Sequence, residues 1–218
     1  MGLFSKSKLK QHDDKVFVTT AWKIKSIVKD ASELRSQGHG VIVTCHFEET
    51  ANLLAGEFKS SGSSTNRLSS PMDFQRFADG YYASQILLGL WPSGGVPAGT
   101  TTLDAVSHVL VAEHYPTPLR DKQILEWIKS LGPAELTYYE ALDSGMLSVM
   151  SGRIKPMLEK LGVKEDEVIS HGFVTGAIVS AQKKIADKAV ADIPARSAGE
   201  WLQANCPDFL KETPPGSF

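Results

Sequence analysis

The sequence has little cysteine, no long apolar run and no excess of charge of one sign. Two cysteines, Cys45 and Cys206, occur far apart among 218 residues. This usage is typical of reduced thiols in a cytoplasmic protein and not of a disulfide framework. No apolar stretch approaches the roughly 18 residues that a membrane span needs, so we predict no integral membrane segment. The net charge of −2 offers no basic field for nucleic acid, and we predict no nucleic-acid partner.

The first residues carry no complete targeting signal. They contain Gly2, but Lys6 stands where a myristoylation motif has Ser or Thr. The long apolar core of a signal peptide is also missing from this stretch. We therefore interpret residues 1–15 as a flexible N-terminal arm and expect the protein in the cytoplasm.

Short apolar runs alternate with helical patterns through the first two thirds of the chain. Apolar residues at helical spacing from Ile24 to Leu34 end at Gly38-His39-Gly40, and the β-branched run Val41–Cys45 follows. The alternation predicts an α/β fold with a mainly parallel sheet of about five or six strands, covered by helices on both faces. The other strand candidates are Gln85–Leu90, Ser107–Ala112 and Leu136–Leu142; Val41–Thr44, Ile86–Leu90 and Val109–Ala112 are expected in the centre of the sheet.

From Asp143 onward the pattern is helical only. We expect Leu161–Ala189 to form a helical layer packed against the sheet, with Val174, Ile178 and Ile185 facing it. The predicted organisation is an arm at 1–15, an α/β domain at 16–142, a helical appendage at 143–210 and a tail at 211–218.

Two segments of the C-terminal half resemble a known motor protein. Leu161–His171 reads LGVKEDEVISH and resembles the Leu-Gly-x-x-Glu-Asp-Glu-x-Ile-x-His segment that follows the second motor domain of the SecA preprotein translocase ATPase. Ala181–Ile185, AQKKI, is similar to the Ala-Gln-Lys-Lys-Val that opens the long scaffold helix of SecA. The resemblance extends over Val16–Lys188. It implies a RecA-like fold of the P-loop NTPase and helicase C-terminal type, and a link to protein transport.

The same resemblance exposes residues that an ATPase of this kind needs. SecA-like motors hydrolyse ATP between two RecA-like domains, and arginines of the second domain stabilise the transferring phosphoryl group. Where the family continues Gln-Leu-Arg-Gly-Arg-Ser-Gly-Arg, residues 123–130 read QILEWIKS, so Leu125, Trp127 and Ser130 replace the arginines. The sequence also has no Gly-x-x-x-x-Gly-Lys-Ser/Thr loop. The resemblance thus implies a degenerate ATPase half without catalytic residues.

A glycine-rich loop at 91–102 is the remaining ligand candidate. It follows a predicted strand, where α/β domains place their ligands. It contains no lysine, and its two prolines lack backbone donors, so a surface loop is the favoured alternative. No cofactor is predicted, although weak ATP or ADP binding is compatible with the pattern. The candidates for this residual ligand cleft are Gly94, Gly95, Gly99 and Thr100.

Other candidate chemistry is sparse. The histidines His46, His108, His114 and His171 pair with no nucleophile and show no metal-ligand spacing, so no metal site is predicted. Aromatic residues such as Trp91 and Trp127 could line a pocket, but core packing is the commoner role.

Three functions remain open at this stage. The first is a SecA-like, catalytically degenerate binding or accessory module with a protein partner, for which an ATPase or a translocation component is the candidate. The second is one half of a split ATPase completed by a partner chain. The third is a small-molecule-binding domain that uses the 91–102 loop. The replaced arginines count against the second, and the sequence favours a non-enzymatic role.

Overall fold

The computed structural model describes residues 9–79, 84–96, 107–130, 133–148, 164–169 and 172–208. The strands are β1 (Leu9–Gln11), β2 (Lys15–Phe17), β3 (Gly40–Cys45), β4 (Asn66–Leu68), β5 (Ile86–Leu90), β6 (Ser107–Val111) and β7 (Ala134–Ala141). The helices are α1 (Thr20–Ser36), α2 (Glu48–Ser60), α3 (Pro71–Ala78), α4 (Pro118–Ser130), α5 (Gly145–Ser148), α6 (Gly172–Lys188) and α7 (Ala198–Asn205).

The seven strands form one sheet in the order β1-β7-β6-β3-β5-β4, with β2 also paired to β7. All pairings between these strands are parallel. The predicted parallel α/β fold is confirmed, and β3, β5 and β6 are central as expected. The sheet has more strands than the five or six predicted. The prediction missed β1, β2 and β4 because they have three residues each, which is too few to show a periodic pattern.

Alternate side chains of the strands enter two separate cores. In β3, Val41 and Val43 pack under α1 and α2, whereas Ile42 faces α3 and α4. In β5, Ile86 and Leu87 divide in the same way. This division follows from the two-residue repeat of a strand, and it requires both faces of the sheet to be apolar.

A third core lies between the sheet domain and the C-terminal helices. Val174, Ile178 and Ile185 of α6 are buried there with Phe47 and Tyr115. The predicted inward face of this helix is confirmed. The helix α6 begins at Gly172, later than the helical layer expected from Leu161. Residues 164–168 are not helical, and Ile169 makes an antiparallel bridge with Val16. Residues 161–163 lie outside the described part of the chain.

Residues 9–15, which were predicted as part of a flexible N-terminal arm, contact the sheet. Leu9–Gln11 pairs with β7, and Lys15 begins β2. Between them, His12 Nε2 lies 2.7 Å from Glu135 Oε2, and Asp14 is buried. Residues 9–15 are therefore held at the sheet by strand pairing and polar contacts, which correct the expectation of a flexible arm there; residues 1–8 lie outside the description.

Candidate functional site

A crevice of about 700 Å³ opens at the carboxyl ends of β3, β4 and β5. The first turns of α2 and α3 form two of its sides, and the segment that carries Pro194 and Ala195 forms a third, with Trp201 of α7. Parallel α/β sheets commonly bind ligands at this edge, where strand ends and helix N-termini meet.

The glycine-rich loop contributes to two cavities. Its first residues, Trp91, Pro92 and Ser93, line the crevice. Gly94 and Gly95 instead line a smaller cavity of about 380 Å³ beside α4, together with Lys122. Gly95 has φ +73°, a left-handed conformation that suits glycine. The candidate ligand residues Gly99 and Thr100 lie outside the described part of the chain.

Three residues that the resemblance aligns with arginines of the motif, Leu125, Trp127 and Ser130, lie on α4, in and beside an apolar core. Trp127 is 1% exposed and packs against Phe74 and Trp91, with ring centroids 5.4 and 5.6 Å away. Leu125 is half-buried against the same core, and the Ser130 hydroxyl donates to the Trp127 carbonyl at 2.6 Å. Trp127 therefore serves in core packing, which the sequence had favoured over a pocket role.

The Glu113 carboxylate holds the start of α2 through hydrogen bonds. Its Oε1 accepts hydrogen bonds from the backbone N–H groups of His46 and Phe47 at 2.9 and 3.1 Å, and its Oε2 accepts from the Thr50 hydroxyl at 2.5 Å. A carboxylate here satisfies free N–H groups and offsets the positive end of the helix dipole. The Phe47 N-cap lacks such a side chain, so Glu113 replaces it.

Asp121 is the centre of a buried polar network that the sequence did not predict. Its Oδ2 accepts from His114 Nδ1 at 2.8 Å and from Gln182 Nε2 at 2.6 Å, and its Oδ1 accepts from the Tyr115 backbone N–H at 3.3 Å. His46 Nε2 lies 3.4 Å from Oδ1. Two histidines that spacing alone left unpaired thus meet at one carboxylate. Only folding joins them, since the sequence gives no local signal for contacts between β3, α4 and α6.

The charged groups of this network shift each other's pKa values. Burial alone would lower the pKa of His114, but the adjacent Asp121 and Asp14 outweigh it and raise that pKa to about 10. For Asp121, burial acts to raise the pKa, and the charge and hydrogen bond of His114 outweigh it and lower the pKa. His114 also stacks on Tyr138 with centroids 4.3 Å apart. The pair is accordingly a buried imidazolium–carboxylate ion pair at neutral pH.

A second carboxylate ties the C-terminal segment to α4. Asp192 accepts hydrogen bonds from the Tyr115 hydroxyl and from Trp201 Nε1, the latter at 2.8 Å. Arg120 Nη2 lies 3.4 Å from Asp192 Oδ2, and its guanidinium stands 4.0 Å above the Tyr115 ring. Arg120 is 9% exposed and lines the crevice.

Neither cysteine belongs to a reactive site. Both are free and buried, and burial, together with the charge of Glu113, raises the pKa of the Cys45 thiol well above its usual value. Among the described residues no group of three or more His, Cys, Asp or Glu side chains is arranged to hold a metal ion. No helix within the described ranges combines the length and hydropathy required to cross a membrane.

The chain was compared with known proteins. No protein-family model matches it. It is similar to the protein translocase subunit SecA of Oleidesulfovibrio alaskensis, with 26% identity over 186 residues that cover 81% of this chain and 21% of that protein. The chain therefore spans about a fifth of the length of that relative.

Three solved structures align with lower similarity. T4 UvsW aligns with a TM-score of 0.42 and 12% identity, over 77% of this chain and 33% of that one. The C-terminal part of the Fun30 ATPase domain aligns with a TM-score of 0.40 and 14% identity, over 74% of this chain and 54% of that one. The Pyrococcus furiosus Hef helicase domain aligns with a TM-score of 0.35 and 20% identity, over 57% of this chain and 26% of that one. This chain is thus similar to a part of SecA along most of its sequence, and it forms a parallel α/β sheet with helices on both faces.

Proposed function

We propose that this domain is a catalytically degenerate SecA-like motor half that acts in the cytoplasm as a binding or accessory module for a protein partner in protein export. Its relative is a translocase subunit, which supports an export partner, either an ATPase or another translocation component. The proposal includes no nucleic-acid partner, in keeping with the net charge of −2.

The packing of Trp127 is the observation that carries the degenerate assignment. An arginine that stabilises a phosphoryl group must present its guanidinium to the substrate, and loss of such an arginine typically costs about 10³–10⁵ in rate. Here the corresponding side chain is an indole in van der Waals contact with Phe74 and Trp91. Trp127 contributes to the stability of the domain in a position where the resembled motif contributes to hydrolysis.

Steady-state phosphate release with magnesium ATP tests the proposal. The purified chain should release phosphate no faster than a buffer blank. Nucleotide binding, if measured by equilibrium dialysis, should be weak and should involve the cavity beside Gly94 and Gly95, where Lys122 supplies a positive charge. Robust turnover that persists through purification and is retained in a Gly95→Ala variant would overturn the degenerate assignment, because it would require a catalytic site elsewhere.

The accessory role has a separate test. A tagged chain should retain a component of the export machinery at stoichiometric level when the two are purified together, and the complex should persist without ATP. A complex that forms only with ATP and hydrolyses it would instead identify the domain as half of a split ATPase.

A further inference from the structure

Three histidines from distant parts of the chain meet at the amino edge of the sheet, at the end opposite the crevice. His12 follows β1, His39 lies between α1 and β3, and His108 lies in β6. Glu135 of β7 stands between Lys10 of β1 and His108 in the register of the sheet. Its Oε2 lies 2.7 Å from His12 Nε2 and 4.0 Å from His108 Nδ1, and Lys10 Nζ lies 3.5 Å from its Oε1. We call these five side chains the amino-edge cluster.

The rings of His39 and His108 are in direct contact. Their centroids are 4.7 Å apart and their planes make an angle of 63°, which is an edge-to-face arrangement. Neutral aromatic rings attract each other in this geometry. Two imidazolium rings at the same separation repel each other, even at the dielectric constant of water. The contact is therefore favourable only while at least one of the two rings is neutral.

His108 is the member of the cluster that resists protonation. Its side chain is 11% exposed, and its Nε2 has no hydrogen-bond partner among the described residues. Burial lowers the pKa of His108 below its usual 6.5, and the adjacent His39 lowers that pKa further. The charge of Glu135 acts to raise it, whereas His12 and Lys10 act to lower it. His108 is accordingly neutral at pH 7, when its contact with His39 is intact.

Acid weakens this edge of the sheet. A histidine whose pKa is lowered by folding stabilises fully above its unfolded pKa of 6.5, and this contribution is lost as pH falls through the lowered value. His114, beyond the opposite end of β6, has a pKa raised to about 10 and therefore stabilises in acid. The two edges of the sheet thus respond to acid with opposite sign.

The turn that carries His39 is the part of the cluster that can move. His39 is half-buried, and Gly38 before it has φ +90°, which glycine adopts without strain. The Ser84 hydroxyl donates to the Gly38 carbonyl at 2.9 Å, and the N–H groups of Gly38 and His39 bond to the end of α1. His108 is instead fixed in β6, which pairs with a strand on each side. Rotation of the His39 side chain toward solvent relieves the repulsion with the smallest rearrangement.

We propose that His39 and His108 form a pH-sensitive switch at the amino edge of the sheet. In the neutral form the His39 ring packs on His108, and Glu135 pairs with His12. In the acidic form both rings are charged, His39 turns toward solvent, and Glu135 pairs with His108. The switch operates between about pH 5 and 8, where histidine is the side chain that ordinarily changes its charge. It is independent of the export partner proposed above and of nucleotide.

Nuclear magnetic resonance of the wild-type chain tests the switch directly. The ring protons of His39 and His108 should show a mutual Overhauser contact at about pH 8 and lose it at about pH 5. The His108 ring should titrate below 6.5, while the His114 ring keeps its proton throughout. A contact between His39 and His108 that persists at about pH 5 would overturn the proposal.

Two variants separate the charge of His39 from its packing. His39→Phe retains an aromatic edge against His108 but carries no charge. Relative to wild type, its unfolding equilibrium in urea should shift toward the folded state by about fourfold or more between about pH 8 and 5, as expected for two unit charges about 5 Å apart in water. The pKa of His108 should rise in this variant. His39→Gln removes charge and ring together, so it should share the gain in acid but be less stable than His39→Phe at about pH 8.

Gln37→Phe is the matched control. It adds a ring at an exposed position of the same turn and leaves both histidines in place. Its stability relative to wild type should be the same at about pH 5 and 8. If His39→Phe behaves like this control, the charge of His39 does not act on His108 and the proposal is wrong.

Discussion

The two ends of α4 have opposite chemistry. The first turn carries Arg120 and Asp121, which join a network of buried charges and hydrogen bonds with His114 and Gln182. The second half carries Ile124, Trp127 and Ile128, which enter an apolar core. One helix of 13 residues therefore links a polar cluster to an aromatic one.

The difference also bears on the resemblance to SecA. Glu113 and Asp121 make structural hydrogen bonds, one to the start of α2 and one to His114. Leu125 and Trp127, where the resemblance implies arginines, are apolar side chains in or against a core. All four side chains contribute to the fold, which a domain needs with or without hydrolysis.

Replacing Trp127 with arginine tests the apolar end most severely. The guanidinium would be buried among Phe74 and Trp91 without a partner, and we expect a loss of about 5 kcal/mol or more, enough to prevent folding of an ordinary domain. Circular dichroism and urea denaturation measure this. The control Trp127→Phe keeps an aromatic ring and removes an Nε1 that has no hydrogen-bond partner among the described residues, so it should lose much less. A Trp127→Arg protein as stable as wild type would place this side chain outside the core.

The helix α6 provides the next test, since it contributes Gln182 to the polar cluster and Ile178 to an apolar one. Ile178 is fully buried, and Ile178→Asp should lower the free energy of unfolding by about 4 kcal/mol. Its neighbour Val179 is 59% exposed, so Val179→Asp should change stability by about 0.5 kcal/mol or less. Equal effects on thermal melting in the two variants would contradict the assigned face.

The polar end predicts a pH dependence. The pKa of His114 is raised from 6.5 in the unfolded chain to about 10, so its ion pair stabilises fully below pH 6.5 and this contribution is lost as pH rises to 10. Asp121, Asp14 and His46 carry titratable groups near its ring, Glu140 accepts from its backbone N–H, and Tyr138 is stacked on the ring. We expect the free energy of unfolding to fall by roughly 4 kcal/mol over this range.

Asp121→Asn removes the charge that sustains this dependence. The variant should lose roughly 3 kcal/mol at pH 7, because it removes the nearer of the two carboxylates that pair with the buried imidazole and leaves only Asp14. It should also lose most of the alkaline slope in urea denaturation between pH 6.5 and 10. The exposed Glu33→Gln on α1 should retain the slope. An unchanged slope in Asp121→Asn would show that another group titrates.

The smallest effect is expected at Leu125. Its side chain is half-buried, and the aliphatic stem of an arginine can lie along the same surface while the charge reaches water. Leu125→Arg should therefore cost about 1 kcal/mol or less and should not produce phosphate release with magnesium ATP. A loss comparable with that of Trp127→Arg would extend the apolar core to this position.

Sequence patterns predicted the long elements and missed the short ones. The apolar runs at Val41–Cys45 and Gln85–Leu90 gave the central strands, because a strand covered on both faces is apolar at consecutive positions. In contrast, β1 and β2 have three residues each and are partly polar. Their place in the sheet depends on pairing with β7, which no local pattern encodes.

The ligand candidates named from the sequence do not coincide with the crevice, because Gly94 and Gly95 line the smaller cavity and Gly99 and Thr100 lie outside the described residues. The glycine-rich loop was correctly placed after a strand, and Trp91 to Ser93 line the crevice. The remaining wall comes from His46, Arg120 and the segment around Pro194, which are separated by long stretches of chain. Spacing along the sequence carries no information about side chains that converge from different elements.

The sequence by itself determined the parallel α/β architecture and the inward face of α6, because the periodicity that encodes them is a local property. The tertiary structure decided that Trp127 lies in a core, that Asp121 joins His114 and Gln182, and that Arg120 is buried beside a crevice. These outcomes depend on which strand ends and helix starts meet at the carboxyl edge of the sheet. Burial there decides whether a polar side chain needs a partner.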